Sequence, residues 1–273
     1  MTGCPLFRGL VAAAILMLSG CTADTHVPPF ARVPYEPFSR QAVVAIALRE
    51  WRAFGSNVAL PSTGDKPERA DGLWQRIGEY WWLGLDPSDS AASWTGKHDA
   101  KGRVFPPERD EAFAWSAAFV SYVMRMAGAG AGFPYAAAHD TYIHAAIRGE
   151  PGLVIVAERP DRFAPRPGDL ICAGRDDSAS LRYDDLATTP LFKAHCDIVV
   201  TIGDSADLSA IGDSADLSAI GDSADLSAIG GPAGLAAIGG NVADAVTLRQ
   251  FPVAPDGRLW PTAPWLVILR LRD

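Results

Sequence analysis

"EAFAWSAAFVSYVMRMAGAG", residues 111–130, decides how this chain is read. From Trp115 to Met126 only Ser116, Ser121 and Arg125 interrupt the apolar run. That pattern predicts a buried helix with Ser116 near its start. A nucleophile placed there gains from the positive end of the helix dipole, which favours an anion. The plainer reading makes Ser116 a small packing residue, so its neighbours in the sequence must decide.

Before this stretch the chain reads as helical. Ser39 is a candidate cap for a helix running to about Phe54, with Val43, Ala47 and Trp51 on one face. "DGLWQRIGEYWWLGL", residues 71–85, is a second, aromatic-rich helix. Residues 86–110, including "WTGKHD" (94–99), read as irregular, and a shorter helix covers His139 to Arg148. After it the character changes. "PRPGDLICAG" (165–174) is a turn entering a strand, and "HCDIVVTI" (195–202) is a second strand. "AIGGNVADAVTLRQFPV" (237–253) reads as strand, Gly-Asn turn and strand, and "WLVILRLR" (265–272) as a last strand. Helices first and strands after predict an α+β domain with a mostly antiparallel sheet.

The 273 residues are 48% hydrophobic and 21% charged, which suits one domain with a sizeable core. The net charge of −8, without a basic run, argues against a nucleic-acid partner. Eight tryptophans could fill a core or line a groove. Arg8, the apolar stretch Leu10–Leu18 and the sequence "LSGC" (18–21) resemble a bacterial lipoprotein signal. That resemblance implies cleavage after residue 20, a lipid on Cys21 and membrane attachment through it. Thr22 after the cysteine then implies the periplasmic face of the outer membrane. Residues 21–38 form a Pro-rich tether, and residues 39–273 a single domain. Cys172 and Cys196 remain, as a disulfide between neighbouring strands or as two buried thiols.

A nonapeptide, "IGDSADLSA", occurs three times at 202–228, and a looser copy follows at 229–237. It lacks the paired glycines and Gly-x-Asp placement of a calcium-binding β-roll. It reads as a duplicated insertion between two strands.

Three residues form a candidate catalytic set. Ser116 is the nucleophile, His195 at the head of a strand is the base, and Asn241 after Gly239-Gly240 orients the imidazole. Asp197 competes with Asn241, because two residues along a strand it faces the same side as His195. Trp115, Trp94 and His98 are candidate groove-lining residues. His139 and His144 lie five apart, a poor spacing for one metal, and no His/Cys/Asp pattern suggests zinc. No metal and no cofactor are expected.

"WSAAFVSYVMRMAG" resembles the Trp-Cys-Ala-Ala-Phe-Val helix of papain-like cell-wall hydrolases, the CHAP and NlpC-type families. "PRPGDLI" resembles their Pro-Gly-Asp strand entry, "HCDIVV" their His-x-Gly-Ile-Val strand, and "IGGNVADAV" the Gly-Gly-Asn turn of CHAP-like amidases. "RIGEYWW", "WTGKHD" and "FAWSAAF" together resemble a narrower bacterial family, domain of unknown function 2272. The resemblance implies a papain-like fold and an amide hydrolase acting on peptidoglycan, with Ser116 where the families carry cysteine. The alternative it implies is a catalytically inactive module that binds cell-wall peptides or a protein partner. A thiol ionises near neutral pH far more readily than a hydroxyl, so the serine is the chemical departure.

Overall fold

The computed structural model describes residues 37–58, 66–203, 234–261 and 263–272. The signal segment, Cys21, nearly all of the tether and most of the nonapeptide array lie outside these residues. Among the described residues the order is four α-helices followed by a six-stranded sheet, an α+β arrangement.

Helix α1, Arg40–Ala53, begins where Ser39 accepts a hydrogen bond from the Ala42 amide at 3.1 Å. It buries Val43, Ala47 and Trp51. Helix α2, Leu73–Gly84, buries Ile77, Tyr80 and Trp81. Between these helices sits a buried polar knot. Glu50, fully enclosed, accepts from Arg76 Nε at 2.5 Å and from Tyr80 Oη at 2.8 Å. Helix α3, Ser116–Met126, is enclosed along almost its whole length. Helix α4, His139–Ile147, completes the layer.

The strands are β1 (Ile155–Glu158), β2 (Leu170–Gly174), β3 (Ala194–Gly203), β4 (Gly234–Val242), β5 (Ala245–Pro252) and β6 (Trp265–Leu271). Their spatial order is β1-β6-β2-β3-β4-β5, antiparallel throughout. Alternation along β2 gives the sheet two apolar faces. Leu170 and Cys172 join the large core shared with the helices, while Ile171 joins a smaller cluster with Val199, Ala237 and Ile268. Cys172 and Cys196 are direct cross-strand partners and form a disulfide.

The Pro-Gly-Asp motif is a structural clasp. Asp169, fully buried, accepts from the Leu271 and Arg166 amides at 2.9 Å each and pairs with Arg40 of α1 at 2.5 Å.

Three features differ from what the sequence predicts. The short strand β1 has no sequence signal, since four residues carry too little periodicity. The β4–β5 turn falls at Ala243-Asp244, not at Gly-Asn. Both residues have positive φ (52° and 59°), as a tight two-residue hairpin requires. Asn241 stays within β4 at a register irregularity, with φ 56°. Both ends of the nonapeptide array are strand, not insertion. Ile202 and Gly203 end β3, and Gly234–Ala237 of the looser copy open β4. Gly203 and Gly234 pair directly, and residues 204–233 lie outside the described residues.

Candidate functional site

Ser116 is the first residue of α3, and its side chain is almost wholly buried. Among the described residues its hydroxyl bonds to His139 Nε2 at 2.7 Å, and not to His195. His139 opens α4, and its Nδ1 is hydrogen-bonded to Tyr142 Oη one turn later. The helical i, i+3 spacing puts the imidazole and the phenol on one face. Burial, joined by the neighbouring His195, holds the His139 imidazole well below its ordinary value, so it is neutral at pH 7. Burial also pushes the Tyr142 phenol well up. The result is an uncharged chain, Tyr142–His139–Ser116, inside the protein.

His195 belongs to a different array. Its Nε2 lies 3.3 Å from Asp197 Oδ1, and Asp197 is also held by the Arg249 guanidinium. Burial pushes the Asp197 carboxyl up, but His195 and Arg249 outweigh it and hold the group below its ordinary value. Among the described residues it is Asp197, and not Asn241, that is hydrogen-bonded to His195. Asn241 is placed on the cavity wall. The two histidine rings are neighbours, with centroids 5.5 Å apart.

The double glycine makes room for both sides. A Cβ on Gly239 would fall 2.2 Å from Asp197 Oδ1 and 2.8 Å from His195 Nε2. A Cβ on Gly240 would fall 2.6 Å from Phe119 of α3. The double glycine is thus a packing necessity between α3 and β3.

Ser116 and His139 open on a cavity of about 630 Å³, a size usual for ligand sites. His195 and Arg249 line a second one of about 360 Å³. Arg175 and Asn241 line both. The expected aromatic groove is not formed by the residues proposed for it. Trp115 is buried, its Nε1 donating to Glu68 at 2.8 Å. Trp94 packs edge-on against Trp81 and Phe113. His98 bonds Thr95 at 3.0 Å and packs against Trp74, away from the residues lining the Ser116 cavity. Large apolar rings gain more from the core than from a polar cleft. The wall carries charges instead, among them Lys66, Asp110 and Lys193.

Behind that wall stands Glu68. Burial raises its carboxyl against the opposing Trp115 hydrogen bond, and the charges of Asp244 and Asp110 add to the rise, to about 8. Glu68 Oε1 and Asp110 Oδ2 are both buried and lack a well-directed donor. A proton on Glu68 shared with Asp110 satisfies both atoms. Lys66 balances the remaining charge, at 3.1 Å from both Asp110 and Asp244. Among the described residues no group of three or more His, Cys, Asp or Glu could hold a metal ion, and no helix is long and apolar enough to cross a membrane.

Fold and site together define an α+β domain with a buried serine–histidine pair at a helix start. Residues 68–221 match the family described as uncharacterized proteins conserved in bacteria, domain of unknown function 2272. More than half of the chain is covered, and the chain belongs to this family. The match includes Ser116, His139, Tyr142, Arg175, His195 and Asp197. No curated protein and no solved structure matches the chain.

Proposed function

We propose that this protein is a lipid-anchored envelope hydrolase of papain-like design that cuts an amide bond in cell-wall peptides, with Ser116 as nucleophile and His139 as its base. The observation that carries the reading is the 2.7 Å contact between Ser116 Oγ and His139 Nε2 at the wall of a ligand-sized cavity. In the productive tautomer His139 Nδ1–H donates to Tyr142, leaving the Nε2 lone pair for the Ser116 proton. Oγ attacks the carbonyl, His139 returns the proton to the leaving amine, and water releases the acyl group by the reverse route. His195 and Asp197 stand beside this pair, and the Asp197 charge favours the imidazolium that forms at His139.

A specific observation favours the second reading, a peptide-binding module without turnover. Tyr142 is fully buried, and its hydroxyl is bonded to His139 Nδ1. If Tyr142 donates, Nε2 carries the hydrogen and donates to Ser116, and no base remains. The two readings differ in the direction of one hydrogen bond.

The test is incubation of the full chain with purified peptidoglycan and mass analysis of the released fragments. Hydrolysis requires fragments that disappear in Ser116→Ala and in His139→Ala. Binding without fragments, in wild type and in Ser116→Cys alike, selects the module.

A further inference from the structure

We infer that Arg175 is the anchor for a free carboxylate on the ligand, so that the cavity selects peptides bearing an unblocked carboxyl group close to the bond or group that Ser116 contacts. The inference deepens the cavity reading above and rests on it only in taking the Ser116 cavity as the ligand site. Three observations carry it.

The first is charge pairing. Lys66 is engaged by Asp110 and Asp244, and Lys193 by Asp176 at 3.2 Å. Arg175 is the remaining cation of this wall, and among the described residues its guanidinium has neither an ion pair nor a hydrogen bond. The second is position. Arg175 lines both cavities, at the seam between the Ser116 side and the His195 side. Its charge is also felt at His139, where it disfavours protonation. The third is a fixed base under a free head. The Arg175 amide donates to Lys193 O at 3.0 Å, its carbonyl accepts from the Ser178 amide at 2.8 Å, and the preceding Gly174 amide donates to Pro264 O at 2.9 Å. The backbone is pinned where β2 ends, while the side chain is exposed.

A planar guanidinium matches a carboxylate in two parallel hydrogen bonds, which a lysine cannot reproduce. Binding would also cancel the positive charge beside His139, making that imidazole a better proton acceptor only when ligand is present.

The experiment measures binding by titration calorimetry, using N-acetyl-alanyl-alanine and its C-terminal amide with the full-length Ser116→Ala chain. The acid should bind about ten- to a hundredfold more tightly than the amide. Arg175→Met should erase that difference, and Arg175→Lys should restore only part of it, both at unchanged melting temperature. Equal binding of acid and amide overturns the inference. So does discrimination that survives in Arg175→Met, or the failure of both peptides to bind at millimolar concentration. Discrimination without any cleavage by the wild type leaves the anchor standing and removes only the hydrolase.

Discussion

Two histidines meet near the head of β3 and could hardly be treated more differently. His195 has a carboxylate, and behind it a guanidinium. His139 has a serine on one nitrogen and a phenol on the other, with no charge in direct contact. The charged array is the more conventional partner for a catalytic imidazole, yet Ser116 touches the neutral one. A histidine held by a carboxylate is well oriented. One without it is a reluctant base, but it also stays neutral where a serine needs an acceptor. The fold separates orientation by charge from contact with oxygen and places them on adjacent rings.

The largest effect should come from asking which ring carries turnover. Ser116→Ala and His139→Ala should each lower fragment release by about a thousandfold or more, and His195→Ala by about tenfold. Initial rates on peptidoglycan decide it, and the reverse order for the two histidines would break the contrast.

Next is stability. Asp197→Asn leaves Arg249 without its buried carboxylate and should destabilise the protein by about 3 kcal/mol in chemical denaturation. Tyr142→Phe should cost about 2 kcal/mol, since a buried His139 nitrogen loses its only hydrogen-bond partner among the described residues. If the protein turns over, this variant should lower kcat with KM little changed.

The smallest effect is a pair of slopes against pH. His139 in the folded protein resists protonation, whereas in the unfolded chain it takes a proton near 6.5. Stability should therefore fall as pH drops below about 6.5. Glu68 has the opposite sign. It holds its proton up to about 8 when folded but releases it near 4.5 when unfolded, so its contribution declines as pH rises between those values. Each slope approaches about 1.4 kcal/mol per pH unit. Denaturation curves across pH should lose the acid limb in His139→Gln and the alkaline limb in Glu68→Gln. In the latter, an amide can still accept from Trp115 and donate to Asp110.

Much of the frame was legible along the chain. The Ser39 cap, the helix starting at Ser116, the placement of His195 and Asp197 on one side of a strand, and the helices-then-strands order all follow from local rules of period and capping. His139 did not emerge as the serine's partner, because 23 residues and a change of element separate the two. The one local signal is the spacing of His139 and Tyr142, three apart at a helix start, and it says nothing of a serine on another helix. The aromatic residues misled for a different reason. A tryptophan beside a nucleophile can line a cleft or fill a core, and only packing distinguishes them. Arg175 carries no local signature, since its significance lies in the partners that Lys66 and Lys193 have and it lacks.

The disulfide has a mechanical consequence. Cys172 and Cys196 close a ring that contains Arg175, Phe192 and Lys193, all on the wall of the Ser116 cavity. Tension applied between the two ends of the chain passes across the sulfur bridge and bypasses residues 173–195. The sheet can be loaded while that part of the wall stays slack, and it remains so until the covalent bond itself gives way.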